Sequence, residues 1–365
     1  MKKYQTLIIL ILALSIVFTG CSSNKTMEEE KTSENLVSEE ESEVVEKTDT
    51  IDDTIEDYFP FKENTIMEYE GIGNEYAEQE TFFEFIEGNR AQMKIFNPGT
   101  VAIKVLEYKD GELREIYTEG EFYHIENMLD VEGETSNVLL KEPLKPGTSW
   151  TTPTGYKRSI TGIDVDLELP YKNLKALEVT TELEEGIKTM EYYVKNIGHV
   201  ATIYKDGDFE VKTLLEEIEK SPYETEIIFY YPLYEDIETV YLDRDISIST
   251  NFDIKKILED NFRNPKSNKL IANISKNTKI NSLKFERGNG IVRVDFSKEF
   301  LTDMNAGSSL EAEILKSITN TLGDYYGVEK VYISIDEKPY ASGHFEIRED
   351  EFFEVDKANI REFED

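Results

Sequence analysis

Cysteine is almost missing from this sequence, which has a single one, at position 21, among 365 residues. One cysteine cannot form a disulfide bond within the chain, and it cannot supply the several thiolates of a structural zinc site. Histidine is nearly as scarce. His124, His199 and His344 are the only three, and none lies in an H-x-x-x-H or H-E-x-x-H spacing. The spacing therefore excludes the helical zinc site of metalloproteases.

Positive charge is also in short supply, with 40 Lys and Arg residues against 76 Asp and Glu residues and a net charge of −36. Phosphate binding needs clustered Lys and Arg side chains, so this balance excludes nucleic acid as a partner and argues against docking on anionic lipid headgroups. It keeps copies of the chain apart unless a cation or a basic partner intervenes.

Catalytic motifs are missing as well. The sequence has no G-x-S-x-G, no S-x-x-K with S-D-N and K-T-G, and no glycine-rich phosphate loop. Carboxylates are so numerous that a neighbouring pair says nothing about glycosidase chemistry. Asp164-Val165-Asp166 and Asp243-Arg244-Asp245 lack the D-x-[DN]-x-[DN]-G pattern of a calcium loop. We predict no catalytic residue, no cofactor and no metal, and a cell-wall hydrolase with a hidden carboxylate pair is the enzymatic alternative.

The amino terminus begins with the basic Met1-Lys2-Lys3 and continues with an apolar run, 7–18, that is too short for a comfortable membrane span. Phe18-Thr19-Gly20-Cys21 then resembles the lipobox of bacterial lipoproteins, in which a small residue precedes the lipidated cysteine. We predict that residues 1–20 are a signal peptide and that Cys21 is the lipid attachment site. The two chains of a diacylglycerol suffice for stable anchoring. An ordinary signal peptide with a chance cysteine is the alternative.

Residues 21–58 consist mainly of Ser, Thr, Glu and Lys, with like-charge runs at Glu28-Glu29-Glu30 and Glu39-Glu40-Glu41. Such a segment cannot bury enough apolar surface to offset its ordering entropy. We predict a disordered acidic tether with a reach of about 30–35 Å. A segment that folds on a basic partner is the alternative.

Residues 59–223 alternate apolar and polar side chains over short stretches, and turn signals such as Lys109-Asp110-Gly111 separate them. This pattern predicts an antiparallel all-β domain, either a sandwich or a curved half-barrel. Trp150, the only tryptophan, is predicted to fill its core. A curved sheet can hold an apolar ligand, but aromatics on strands more often form a core. Binding of a lipid or a cell-wall fragment by this domain is therefore the alternative function.

Residues 281–340 contain the signals of a small α/β module in consecutive order. Leu283 and Phe285 alternate with polar residues, Gly288-Asn289-Gly290 supplies the positive φ angles of a hairpin, and 291–296 alternates again. Ser308 and Glu311 have the spacing of a capping box. One apolar helical stripe follows, and then a buried strand over 328–335. The stripe consists of Leu310, Ile314, Ile318 and Leu322.

The segments V-R-V-D-F-S-x-E-F, G-S-S-x-E-x-x-I-L-x-S-I-x-x-T-L and G-V-x-x-V-x-I-S-I-D together resemble the GerMN domain, over about 224–340. That domain occurs in lipoproteins of spore-forming Gram-positive bacteria that are linked to sporulation and spore germination. Glu337 stands where the family usually has Gly after the last strand. The resemblance implies a non-enzymatic module, similar to the ring-building motifs of secretion-system and sporulation channel proteins, that packs against other proteins.

Two strands, 226–231 and 239–248, and a helix that begins at Ile254 precede this module. We predict that 224–345 folds as an α+β domain with one mixed sheet and two helices on one of its faces. The other face is then free for a neighbour. Residues 346–365 are predicted to be an acidic tail, which either adds an edge strand or stays free.

These predictions combine into a lipoprotein held on the extracytoplasmic face of the membrane by Cys21. The expected role is a protein–protein interaction or assembly module, whose partner is another extracytoplasmic protein or further copies of this chain. The resemblance implies a role in sporulation or spore germination.

Overall fold

The structure is a computed structural model that describes residues 53–133, 136–184 and 186–364. The predicted signal peptide, the predicted lipid attachment site Cys21 and nearly all of the predicted tether lie outside the described residues. The chain from Thr54 onward forms one compact unit. Among the described residues, none of the helices combines the length and the apolar character that a membrane crossing needs.

The first part of this unit, residues 54–219, is called the barrel lobe. It begins with the one-turn helix α1 (Ile55–Tyr58), and Thr54 forms a capping box with Asp57 at its start. Twelve described strands follow and pair into one antiparallel sheet. They are β1 (Ile66–Ile72), β2 (Gln79–Glu87), β3 (Arg90–Asn97), β4 (Thr100–Lys109), β5 (Glu112–Gly120), β6 (Asn137–Lys141), β7 (Ser149–Thr151), β8 (Lys157–Leu167), β9 (Leu174–Glu184), β10 (Ile187–Val194), β11 (Gly198–Asp206) and β12 (Phe209–Glu219).

The sheet curls into a near-barrel. Consecutive strands are neighbours, except that β6 and β7 stand at the two ends, while β1 pairs with β12. Two side chains from the β7–β8 end, Trp150 and Arg158, donate hydrogen bonds to the Val138 carbonyl of β6 at 2.9 and 3.0 Å. The prediction of an antiparallel β domain is confirmed. Of the two predicted shapes, the curved half-barrel describes the observed sheet better than the sandwich does. Trp150 is half-buried at this junction and packs against the apolar core of the near-barrel, so it lies at the edge of the core that it was predicted to fill.

The inside of the near-barrel is an apolar core closed by helix α1. Ile55 and Phe59 are buried there against Phe83, Leu106 and Tyr193. Adjacent strand residues point to opposite faces, and the outer wall accordingly buries other side chains against the second part of the chain, among them Val105 and Ile116.

The second part, residues 223–364, is called the carboxy-terminal lobe. Its hairpin of β15 (Ile280–Glu286) and β16 (Ile291–Phe296) turns through the 3₁₀ turn Arg287–Asn289. Of the three residues predicted to supply positive φ angles, Gly290 alone does so, at φ 62°. Its elements are β13 (Tyr223–Pro232), β14 (Thr239–Ile248), α2 (Ile254–Arg263), β15 (Ile280–Glu286), β16 (Ile291–Phe296), α3 (Glu299–Thr302), α4 (Ser308–Tyr326), β17 (Lys330–Ile335), β18 (Lys338–Pro339), β19 (Phe353–Glu354) and β20 (Arg361–Glu362).

The strands of this lobe form two sheets, so the prediction of one mixed sheet is wrong. One sheet has the order β13-β14-β20, and the other has the order β15-β16-β17-β18. The physical reason lies at the free edge of β13. There the Tyr230 N–H donates to Thr321 Oγ1 of α4 at 3.0 Å, and the Tyr230 carbonyl accepts from Asn273 Nδ2 at 2.8 Å. Side chains thus occupy the backbone groups that another strand would need.

The residues after the predicted domain add to both sheets. Strand β19 pairs antiparallel with β17, and β20 pairs in parallel with β14. The Phe363 N–H donates to the Tyr241 carbonyl at 2.8 Å. Of the two alternatives for the tail, the edge-strand one therefore describes residues 353–354 and 361–362.

Helix α4 carries the predicted apolar stripe, and Ile314, Ile318 and Leu322 are buried. The predicted capping box is absent, because the helix begins one residue earlier than expected. Gly307 is the N-cap residue and makes no side-chain cap hydrogen bond. Glu311 is therefore free to bind elsewhere and lies buried beside the chain that follows β18.

The turn between β17 and β18 explains the glycine usual in the family. Asp336 and Glu337 have φ angles of 47° and 65°, which is the left-handed conformation of a two-residue hairpin turn. The Glu337 N–H donates to Asp295 Oδ1 at 2.7 Å, and this bond holds the turn without a glycine.

Candidate functional site

The tip of the β15–β16 hairpin fastens the carboxy-terminal lobe to the barrel lobe. Arg287, in the turn, makes ion pairs with Glu119 at the end of β5 and with Glu126 just beyond it. Its guanidinium also lies 4.6 Å from the ring centroid of Phe122. Hydrogen bonds from His124 and Arg287 outweigh the effect of burial and hold the pKa of Glu126 below its ordinary value.

Aromatic side chains complete this junction. The His124 ring stacks on Phe122 at 4.4 Å and meets Phe285 of β15 edge-on at 5.2 Å. From helix α4, the Tyr325 hydroxyl accepts a hydrogen bond from the Ile125 N–H at 2.8 Å. Burial raises the pKa of Tyr325 well above its ordinary value, so it remains a neutral phenol. The hairpin and α4 therefore dock together on the outer wall of the near-barrel.

The sheet of β15, β16 and β17 has one face packed in the core and one face without helices. Val292, Val294 and Phe296 of β16 are fully buried in the core that also holds the apolar stripe of α4. The residues between them, Arg293 and Asp295, point to the opposite face because side chains alternate along a strand. This second face is called the helix-free face.

Cations line up across the helix-free face. Lys284 of β15 stands directly opposite Arg293 of β16, and Arg293 stands opposite Tyr332 of β17. Lys284 and Lys330 are exposed, and about a third of the Arg293 side chain is exposed. Like charges directly opposite each other destabilise a sheet. In a chain with a net charge of −36, two opposed cations call for an explanation.

Two rings and one carboxylate hold Arg293 in place. Its guanidinium lies 4.5 Å from the ring centroid of Tyr332, and its Nε donates to Glu286 at 2.8 Å. That hydrogen bond lowers the pKa of Glu286. Phe352, from the segment after β18, meets the Tyr332 ring edge-on at 6.2 Å, and the Lys330 ammonium lies 5.9 Å from the Phe352 centroid. The face is thus built from aromatic rings with cations on them.

A buried carboxylate, Asp295, supports this face from below. It accepts hydrogen bonds from Ser334 Oγ at 2.6 Å, from Asn281 Nδ2 at 2.8 Å and from the Glu337 N–H at 2.7 Å. Asp295 therefore joins β15, β16, β17 and the following turn. The arrangement satisfies the carboxylate fully and has the character of a structural support.

Glu311, on the opposite side of the sheet, binds two side chains from the segment after β18. Tyr340 Oη donates to Glu311 Oε1 at 2.6 Å, and His344 Nδ1 lies 2.6 Å from Oε2. Burial alone would raise the pKa of Glu311, but hydrogen bonds from Ser342, Tyr340 and His344 outweigh it and hold that pKa below its ordinary value. The cluster fastens residues 340–344 to α4.

The near-barrel holds a cavity of about 170 Å³. Phe59, Met67, Phe83, Met93 and Tyr193 line its apolar part. The wall also contains charges that neutralise one another within the lobe.

Lys104 and Glu191 of the cavity wall each have an ion-pair partner. Lys104 pairs with Glu115 at 2.8 Å, and Glu191 pairs with Arg158 at 3.1 Å. The Glu115 carboxylate raises the pKa of Lys104. Burial lowers the pKa of His199, which therefore lines the cavity as a neutral imidazole at pH 7.

No group of three or more His, Cys, Asp or Glu side chains among the described residues is arranged to hold a metal ion. The predicted lipid site, Cys21, cannot be compared with the structure because it lies outside the described residues. Sequence reasoning predicted a sheet face without helices but missed the cations on it, although the alternation in β15 and β16 already placed Lys284 and Arg293 on one side. It also missed Arg287, whose partners come from another lobe.

Fold and sites together define a mostly β protein of two lobes, in which a near-barrel carries a smaller lobe of strands and helices with one helix-free sheet face. Residues 228–341 match the family model Germane, described as sporulation and spore germination. Residues 228–341 of this chain are accordingly a Germane domain.

Several solved structures are similar to parts of the chain. The first GerMN domain of the sporulation protein GerM from Bacillus subtilis is 17% identical, covers 36% of this chain and 98% of its own, and has a TM-score of 0.29. A lipoprotein from Clostridium perfringens is 19% identical, with 36% and 87% covered and a TM-score of 0.23. An exported protein with a YmcC-like fold from Bacteroides fragilis is 12% identical, with 45% and 99% covered and a TM-score of 0.28. No curated protein matches the chain.

Proposed function

We propose that this protein is an extracytoplasmic lipoprotein, anchored at Cys21, that works in sporulation or spore germination as a docking protein and not as an enzyme. The helix-free face of the carboxy-terminal lobe is its docking surface. Its partner is an acidic surface of another extracytoplasmic protein, or of a second copy of this chain.

The observation that carries this proposal is the group of Lys284, Arg293 and Lys330 at the surface of the helix-free face. Glu286 already pairs with Arg293. In the described part of the chain no salt bridge joins Lys284 or Lys330 to a carboxylate, so an acidic partner would supply the counter-charges that these two exposed ammonium groups lack. Arg is favoured at protein interfaces, and charge complementarity speeds encounter and sets register. The family description, sporulation and spore germination, supports the process.

The docking surface is tested by reversing its charge in the full-length protein. We expect the double variant Lys284→Glu and Lys330→Glu to reduce spore formation or germination and to abolish its specific crosslinks in sporulating cells. The matched control, Lys145→Glu and Lys220→Glu, changes the charge equally at one exposed position of the barrel lobe and one directly after it and should behave like the parent. Equal behaviour of the two double variants would remove the helix-free face as the docking surface.

The process and the anchor are tested separately. Deleting the gene should lower sporulation or germination efficiency, and an unchanged efficiency would contradict the process. Cys21→Ser should release the protein from the membrane fraction and abolish its labelling by a fatty-acid tag. Retention in the membrane fraction would contradict lipid anchoring.

A further inference from the structure

The cavity of the barrel lobe has an unusual distribution of charge. Two charged residues that line it, Lys104 and Glu191, are balanced by Glu115 and Arg158, which lie behind the lining. Lys62 also lines the cavity. In the described part of the chain, no salt bridge joins Lys62 to a carboxylate, and its ammonium donates to the Asn196 carbonyl at 2.5 Å.

Lys62 lies where the cavity meets the surface. Its side chain is half-buried, while Asn196 beside it is exposed. Its backbone position is fixed by the residues before it, because Phe61 stacks on Tyr108 at 4.2 Å and the Tyr108 hydroxyl donates to the Phe59 carbonyl. Burial lowers the pKa of Lys62, as expected for a cation that has lost water without gaining a counter-ion.

From this arrangement we propose that the near-barrel binds a medium-chain fatty carboxylate, with its carboxylate at Lys62 and its alkyl chain among Phe59, Phe83 and Met93. An engineered cavity of about 150 Å³ in another protein holds benzene, which has six carbons, so about 170 Å³ accommodates an alkyl chain of about six carbons beyond the carboxylate. Two methionines, Met67 and Met93, line the cavity and can adapt to a flexible chain. A carboxylate placed at Lys62 would meet an unpaired cation, whereas a cationic head would meet repulsion.

The proposal is tested by titration calorimetry on the soluble full-length chain after the signal peptide, with hexanoate, octanoate, decanoate and octanol below their micelle concentrations. Binding should tighten about fourfold for each added CH₂ group until the cavity is full. Octanoate should bind at least fivefold more tightly than octanol. Equal affinity of octanoate and octanol, or affinity independent of chain length, would overturn the proposal, as would the absence of binding.

Two variants locate the site. Lys62→Met should weaken octanoate binding at least fivefold and leave octanol binding unchanged, whereas the control Lys220→Met, at an exposed position outside the cavity, should change neither. Met67→Trp fills the cavity and should weaken both ligands. If Met67→Trp fails to fold, Lys62→Met and the chain-length series decide the matter. Unchanged octanoate binding in Lys62→Met would refute the assigned headgroup site.

Discussion

At the scale of single residues, Glu311 illustrates how one buried carboxylate fixes the end of a domain. The sequence placed it in a capping box, but the helix starts at Gly307 and leaves it free to bind Tyr340 and His344. The capping-box spacing indicates that the Glu311 carboxylate accepts a hydrogen bond. It cannot identify partners that lie about thirty residues further along the chain.

We expect Glu311→Gln to destabilise the protein by about 1–3 kcal/mol at pH 7, because charge-assisted hydrogen bonds at a buried site are lost. The pKa of Glu311 is lower in the folded protein than its ordinary value of 4.5. The stabilisation is therefore fully present above pH 4.5 and is lost as pH falls through the lower folded pKa. Urea unfolding of parent and variant between pH 7 and pH 3 measures this difference in the free energy of unfolding.

The control for this measurement is Glu349→Gln, at an exposed carboxylate of the same lobe. Its stability difference from the parent should be small at every pH. A difference for Glu311→Gln that stays constant from pH 7 to pH 3 would contradict the assignment.

For the opposed cations Lys284 and Arg293, unlike for Glu311, the sequence already contained the information that predicts which residues meet. Alternation along each strand is a local property, and the hairpin turn sets which residues stand opposite each other. Both are visible in the sequence, so the pairing could have been predicted. The two rings that hold Arg293 could not, because Phe352 reaches it from the last segment of the chain.

At the scale of elements, the sequence predicted strands and helices well but not how the sheets divide. Strand β14 spans Thr239–Ile248, the same residues as its prediction, because its apolar and polar residues alternate. The division into two sheets depends on Tyr230, which binds Asn273 and Thr321, 43 and 91 residues away. Periodicity carries no information about such distant side chains, so the single sheet predicted from it was wrong.

We expect Thr321→Val to destabilise the protein by about 1–3 kcal/mol, because the buried Tyr230 N–H would lose its acceptor. Thr319→Val is a matched control on the same helix, since the buried Thr319 hydroxyl has no hydrogen-bond partner among the described residues. That variant should be neutral or slightly stabilising. Denaturant midpoints measure both. Equal losses of stability in the two variants would show that the lower helix propensity of Val, and not the lost hydrogen bond to the edge of β13, causes the destabilisation.

At the scale of the whole molecule, the sequence predicted two β-containing domains but neither the closure of the barrel nor the contact between lobes. Closure depends on Trp150 and Arg158 reaching the Val138 carbonyl, and lobe contact depends on Arg287 reaching Glu119. These residues carry no local pattern that distinguishes them from other surface side chains. Long-range contacts of this kind decide the shape that the helix-free face presents to a partner.

Arg287 provides the test of whether the two lobes act as one body. Arg287→Ala removes the ion pairs with Glu119 and Glu126 and the stacking on Phe122, and we expect a loss of about 2 kcal/mol. Because these contacts couple the lobes, the calorimetric unfolding transition should broaden or divide into two. Arg293→Ala, which loses contacts within one lobe only, should shift the transition without dividing it. If Arg287→Ala unfolds in one transition at the parent temperature, the hairpin does not couple the lobes, and the helix-free face is not held rigidly on the near-barrel.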